Sequence, residues 1–191
     1  MDSSGRTILM GVSGGIAAYK AVACASSLAK AGHAVHVAMS PGALQFVQPL
    51  SFAAVTGKRV ISSIFPDAAQ CNDDDLYPHL YPASLADLFI LAPASADMIA
   101  KIAHGLADDP VCASALALSP ECARLYCPAM HVNMWAQSVV RENSKRMESM
   151  GWERIGPEEG VLACGSRGPG RMAEPEDIVA RALELLGQGR D

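Results

Sequence analysis

The segment Thr7–Lys20, TILMGVSGGIAAYK, decides the fold. Its first part, Thr7–Val12, is a short apolar run that reads as a strand buried on both faces. Ser13, Gly14 and Gly15 break the run, and Ile16 to Ala31 then reads as a helix closed by Gly32. Ala34–Met39, AVHVAM, is a second apolar strand. Strand, glycine turn, helix and strand follow one another within about 30 residues, which makes a βαβ unit with parallel strands and a right-handed crossover.

The same alternation continues outward. Ser40 opens a helix over 42–48, and Ser51–Thr56 begins another. Residues 66–84 are irregular, with Pro66, Asp73–Asp75, Pro78 and Pro82. Leu88–Ala92 is a third buried strand, ended by Pro93, and a helix follows over Ser95–Leu106. A helix at 111–118, a strand at Arg124–Cys127 and a polar-faced helix at Ser138–Met150 come next. Residues 156–172 are glycine-rich, and Pro175–Leu186 is a C-terminal helix. This pattern predicts an α/β fold: a doubly wound, Rossmann-like parallel sheet with helices on both faces. A single domain is expected over 1–191, with its core at about 7–186 and a flap at about 156–172.

Composition narrows the function classes. A chain of 191 residues buries roughly 70% of its unfolded surface, enough for a full core. Half of the residues are hydrophobic but only 5% are aromatic, as expected of helices packed on a buried sheet. The net charge is -5 and there is no basic tract, so neither nucleic acid nor an anionic membrane is an expected partner. No apolar stretch reaches the roughly 18 residues of a membrane span, and the N-terminal apolar run falls straight into glycines, unlike a signal peptide. Cysteines 24, 71, 112, 122, 127 and 164 form no CxxC pair. Without a secretory signal they read as thiols of a cytoplasmic protein, and no metal ligand set is expected.

Five segments carry chemistry. In GVSGGIAAYK, 11–20, glycines at a helix start let a phosphate meet backbone N–H groups, although a tight turn without ligand has the same composition. The spacing fits neither GxGxxG nor a P-loop. Ser13 and Ser40 both follow strands, where a hydroxyl serves as a phosphate donor or as a helix cap. In LAPASAD, 91–97, small residues admit a flat ligand, and Ser95 and Asp97 can also cap the next helix. His79 lies in the loop before that strand and is read as either structural or catalytic. CPAMHVNMW, 127–135, offers an apolar wall with His131 and Asn133 as polar groups, although core packing also accounts for Met130, Met134 and Trp135. GVLACGSRGPGRM, 160–172, reads as a lid carrying Cys164, with Arg167 or Arg171 placed to lower the thiol pKa or hold an anion.

Together, GxSGGIAAYK, PAMxxxMW and ACGxxGxGRM resemble the flavin-containing cysteine decarboxylases, over about Thr7 to Ile178. The resemblance implies FMN as cofactor, contacted by Gly14, Gly15, Ile16, Ser40, Gly42, Ser95, Ala96, Asp97 and Met98, with Ala129 near the isoalloxazine. It implies that His79 is the catalytic histidine and that Cys164 is the proton donor on a substrate-covering flap. The substrate side would comprise His131, Asn133, Met134, Ala163 and Arg171. His131 stands where the family pattern PAMN has an Asn that holds the substrate carboxylate.

The implied reaction is decarboxylation of 4'-phosphopantothenoylcysteine to 4'-phosphopantetheine in coenzyme A synthesis, a carbon–carbon lyase step. Oxidation of the substrate thiol by the flavin provides the electron sink for CO2 loss, after which Cys164 supplies a proton. The alternatives are oxidative decarboxylation of a peptide C-terminal cysteine, or a non-catalytic FMN-binding subunit. The family assembles homotrimers, often grouped into dodecamers, with FMN at a subunit interface. Bacterial versions are often fused to a ligase. Here the sequence stops at Asp191, so the expectation is that a phosphopantothenate–cysteine ligase, if used, is a separate protein.

Overall fold

The computed structural model describes residues 5–65 and 77–188. The expected irregular stretch at 66–84 therefore lies in part outside the described residues, as does Cys71. The elements run β1 (Thr7–Val12), α1 (Ala18–Lys30), β2 (Ala34–Met39), α2 (Pro49–Thr56), β3 (Val60–Ile61), β4 (Leu88–Ala94), α3 (Ala96–Ala103) and α4 (Pro110–Leu116). They continue with β5 (Ala123–Pro128), α5 (Val132–Trp135), α6 (Ser138–Ser149), β6 (Trp152–Arg154), β7 (Glu158–Val161), β8 (Arg167–Arg171) and α7 (Pro175–Gln188).

Six strands form one sheet in the order β3-β2-β1-β4-β5-β6, and every pair in it is parallel. The chain winds outward from β1 in one direction and then, from β4, in the other. The switch point between β1 and β4 leaves a crevice at their carboxyl ends, where sheets of this kind bind ligands. Strand alternation splits the core into two layers. Ile8, Met10, Leu88, Ile90, Leu125 and Cys127 face the side covered by α1, α2 and α7, where Leu28, Phe52 and Ile178 pack. Leu9, Phe89, Leu91 and Tyr126 face the other side, against Ile99 of α3, Val111 of α4 and Met147 of α6. Among the described residues no helix is long and apolar enough to cross a membrane.

Several expectations from sequence need correction. The segment after Ser40 is only a 3-10 turn over Ala43–Gln45. Pro93 does not end its strand: β4 runs on to Ala94. Proline lacks a ladder donor, and the pairing with β5 shifts register between Leu91 and Ala94 to pass it. β3 and β6 are two and three residues long, too short for a period to be read from sequence. The glycine-rich stretch is a two-stranded antiparallel hairpin of β7 and β8, separate from the main sheet.

Candidate active site

The crevice is built first from backbone. At the end of β1, Ser13 is buried; its hydroxyl donates to the Pro93 carbonyl at 2.7 Å and accepts from the Ser95 N–H at 2.9 Å. Ser13 is thus a strut between the ends of β1 and β4, with both hydrogen-bonding roles used. Gly14 packs directly on Gly42: a Cβ on Gly14 would stand 2.8 Å from the Gly42 carbonyl carbon. Gly15 faces open space, with nothing within 4 Å of a Cβ placed there. Ser40 is buried at 5% exposure, and its oxygen accepts from the Ala43 N–H at 3.3 Å, which leaves the hydroxyl proton free for a ligand. Ser95 caps α3 by accepting from the Met98 N–H at 3.2 Å.

Two adjoining cavities open here. The larger, about 610 Å³, is lined by Gly14, Gly15, Ile16, Ser95, Ala96 and Ala129, and on its far side by His131, Met134, Ala163, Cys164 and Arg171. The smaller, about 420 Å³, is lined by Ser40, Gly42 and Asp97, and it shares Gly14, Ser95, Ala96 and Met134 with the first. Most of the residues that the resemblance implies are therefore gathered in one place, and three of them are not. The Met98 side chain lies in the core beneath α3, and only its N–H takes part, in the cap. Asn133, exposed at the start of α5, lines neither cavity. His79 lines neither cavity as well; its Nδ1 is buried and has no hydrogen-bond partner among the described residues.

The hairpin closes the larger cavity. Val161, Leu162, Ala163 and Cys164 from β7 and its turn form the lid, and Met130 on the loop after β5 is tied to it by its N–H to the Gly170 carbonyl at 3.0 Å. Cys164 differs from the other described thiols. Burial raises Cys24 and Cys112 to about 12 and Cys122 to about 11, whereas Cys164 is exposed and held below its usual range. The sequence points to Arg167 or Arg171 as the cause. The largest cause is the polar side chain of Ser166, two residues on, followed by its backbone. Arg171 instead pairs with Glu174 at 2.5 Å.

Sequence reasoning passed over Lys20, Tyr19 and Ser166. Lys20 lines the larger cavity from the first turn of α1 and pairs with Glu174 at 2.7 Å, so one carboxylate anchors two cations at the rim. The signal was the helical spacing: Ile16, Tyr19 and Lys20 share a face of the helix that starts at the glycine turn. In the wall of the smaller cavity, Lys101 lies 3.5 Å from Asp97, 3.1 Å from Asp108 and 3.4 Å from Asp109. Burial disfavours its charge, but the carboxylates outweigh that and raise its pKa. Asp108, Asp109 and Cys112 cluster tightly enough to bind a metal ion, but the Lys101 ammonium already occupies their charge.

Around this glycine crevice at the β1–β4 switch point, residues 1–187 match the model of the family described as Flavoprotein. The chain belongs to the flavoprotein family. It is 38% identical over 181 residues to a Streptococcus mutans protein named "Probable phosphopantothenoylcysteine decarboxylase", covering 95% of this chain and 99% of that one. It is 41% identical over 183 residues to the coenzyme A biosynthesis bifunctional protein CoaBC of Escherichia coli K12, covering 96% of this chain. The chain spans less than half, 44%, of that bifunctional relative. Among solved structures, the FMN binding protein AtHal3 superposes with a TM-score of 0.82 at 25% identity, over 97% of this chain and 98% of that one. A PPC decarboxylase mutant complexed with pantothenoylaminoethenethiol superposes with a TM-score of 0.83 at 23% identity, over 96% and 100% of the two chains, and shares the fold.

Proposed function

We propose that this flavoprotein binds FMN and decarboxylates 4'-phosphopantothenoylcysteine to 4'-phosphopantetheine, a cytoplasmic step of coenzyme A synthesis. One observation carries the reading: the glycine turn and Cys164 open onto the same cavity of about 610 Å³. The residues fit the cofactor. Gly15 leaves room for close backbone approach, the Gly14–Gly42 contact excludes any side chain, and the Ser40 hydroxyl keeps its proton for a phosphate. Bound FMN supplies the redox chemistry that gives the departing carboxylate's electrons somewhere to go.

The chain's own groups do the rest. Gly14, Gly15 and Ser40 hold the phosphate end, while Ser95, Ala96 and Ala129 present small surfaces to the ring. Lys20 and Arg171 offer positive charge at the rim to the anionic substrate. The hairpin excludes water, and the Cys164 thiol gives its proton to the substrate carbon.

His79 completes the site from another copy of the chain in this reading. Its Nδ1, without a partner among the described residues, and its place outside the lining of both cavities suit a site shared between subunits. Apolar Leu80, Tyr81 and Leu85 lie exposed around it, while Ile16 and Tyr19 are exposed at the cavity mouth. A homotrimer, alone or as a dodecamer, would bury these surfaces. The fusion of the match to a longer bifunctional chain in Escherichia coli supports a phosphopantothenate–cysteine ligase as the functional partner.

The test is anaerobic incubation of the flavin-loaded protein with 4'-phosphopantothenoylcysteine, followed by mass spectrometry. Formation of 4'-phosphopantetheine with the flavin oxidised again at the end is expected. Turnover of a peptide ending in cysteine, with no reaction of this substrate, would overturn the assignment.

A further inference from the structure

The hairpin of β7 and β8 pairs with no strand of the main sheet, so its place over the larger cavity depends on what its residues touch. Near its base the backbone itself is held. The Met130 N–H donates to the Gly170 carbonyl at 3.0 Å, and a Cβ on Gly168 would stand 2.8 Å from the Val132 side chain. Arg171, at the end of β8, pairs with Glu174, which also binds Lys20 of α1.

The far end of the hairpin is held differently. Residues 162–166 form a turn closed on itself: the Leu162 N–H donates to the Ser166 carbonyl and the Gly165 N–H to the Leu162 carbonyl, each at 2.8 Å. Ser166 Oγ lies 3.2 Å from His131 Nε2. Among the described residues this is the one hydrogen bond from the turn to the body of the protein. His131 is itself anchored, because its Nδ1 accepts from the Asn133 N–H at 3.1 Å and so caps α5. A neutral ring that accepts at Nδ1 carries its proton on Nε2, so His131 donates and the Ser166 hydroxyl accepts. Leu162, Ala163 and Cys164 of the turn and His131 of the floor all line the larger cavity, so the bond joins lid to floor at the cavity wall.

We propose that His131 is a latch for the lid: its hydrogen bond to Ser166 holds the 162–166 turn down over the larger cavity, and the turn lifts to admit or release a ligand only when that bond breaks. The inference rests on the reading of this cavity as the place where flavin and substrate meet. It changes the role that the resemblance implies for His131. With Nδ1 engaged by Asn133 and the Nε2 proton given to Ser166, the ring keeps no free group for a substrate carboxylate while the lid is down. His131 is thus a positioning residue, acting through the hairpin. An asparagine at position 131 would end one bond short of Nε2 and leave the turn without this tie. Loss of one neutral hydrogen bond raises local opening by about 3- to 10-fold, enough to change how often the lid lifts without unfolding the sheet.

The test reads lid opening and needs no turnover. Amide hydrogen exchange in the full chain as purified is followed by mass spectrometry of peptides covering 158–171, with peptides of β1 and β4 as internal reference. Ser166→Ala is expected to speed exchange across 158–171 by about 3- to 10-fold, with β1 and β4 unchanged. His131→Asn keeps an acceptor for the α5 cap and is expected to do the same. The double variant should exchange no faster than either single one, because all three remove the same bond. Ser166→Thr keeps the hydroxyl and should exchange like the parent. Unchanged exchange in Ser166→Ala or His131→Asn overturns the latch, as do additive effects in the double variant or faster exchange spread equally over β1 and β4. A substrate other than the one proposed would leave these exchange rates as stated, so failure of the functional reading and failure of the latch give different results.

Discussion

Two adjacent glycines do different work. Gly14 lies so close to Gly42 that Gly14→Ala would drive a methyl into backbone at 2.8 Å. Overpacking of this kind costs about 1–3 kcal/mol, and here no side chain can swing away. Gly14→Ala is therefore expected to lower both the melting temperature and the flavin retained on purification. Gly15→Ala meets no protein atom within 4 Å, so its stability without flavin should stay within about 0.5 kcal/mol of the parent. Its flavin content should fall, since the methyl projects where the ligand is proposed to lie. At Cys164, the serine variant removes the acidic proton but keeps the size. Cys164→Ser should still release CO2 and fail to yield the saturated thiol product, as read by mass spectrometry; full product would remove Cys164 from the proton-donor role.

At the level of elements, the crevice depends on β1 and β4 ending in register. Ser13 makes that connection with two hydrogen bonds, a buried one to the Pro93 carbonyl and a part-buried one from the Ser95 N–H. Ser13→Ala strands the Ser95 N–H, while the Pro93 carbonyl keeps the Ser13 N–H at 3.3 Å; an unsatisfied buried group costs about 1–3 kcal/mol. Urea unfolding should show a loss in that range, and because Ser95 starts α3, flavin affinity should weaken with it. A hydroxyl after a strand reads alike as a ligand contact, a cap or a strut. Only the tertiary partners separate Ser13, fully committed to protein, from Ser40, whose proton remains free.

Across the whole molecule, α7 is tied to the rest by ion pairs. Arg181 binds Glu153 of β6, with one contact at 2.7 Å, and Glu174 just before the helix binds Lys20 of α1. Hydrogen bonding from Arg181 holds Glu153 below its ordinary 4.5, and hydrogen bonding from Lys20 does the same for Glu174. Carboxylates depressed in the folded state stabilise it fully above their unfolded pKa and lose that contribution as pH falls through the folded one. The urea midpoint is therefore expected to be flat from pH 7 to about 5 and to drop below, with a shallower acid limb in Glu153→Gln. The proposed shared site makes a further prediction. His79→Asn and Cys164→Ser should each fail alone to yield the saturated thiol product, and co-expressed mixed oligomers should recover part of it. If His79 and Cys164 act within one chain, mixing recovers none.

The sequence by itself determined the layer order and the place of the crevice. Long apolar strands such as Leu88–Ala92 and the glycine turn after Thr7–Val12 carry their period and their breaks locally, and a βαβ unit has one favoured handedness. It also singled out Cys164, Gly14, Gly15 and Ser40, through the resemblance to the flavin-containing cysteine decarboxylases, since each residue alone has other uses. The tertiary structure alone decided what each polar group touches. Ser166 reaches His131, 35 residues away, only because the hairpin folds back over the loop after β5. Lys20 and Arg171 meet at Glu174 across 154 residues of chain between Lys20 and that carboxylate. β3 and β6 exist only because a neighbouring strand supplies their ladder, and Asn133 points away because α5 turns there. Hydrogen bonds and ion pairs of this kind depend on atoms brought within about 3 Å by distant segments, and no local period in a sequence encodes that distance.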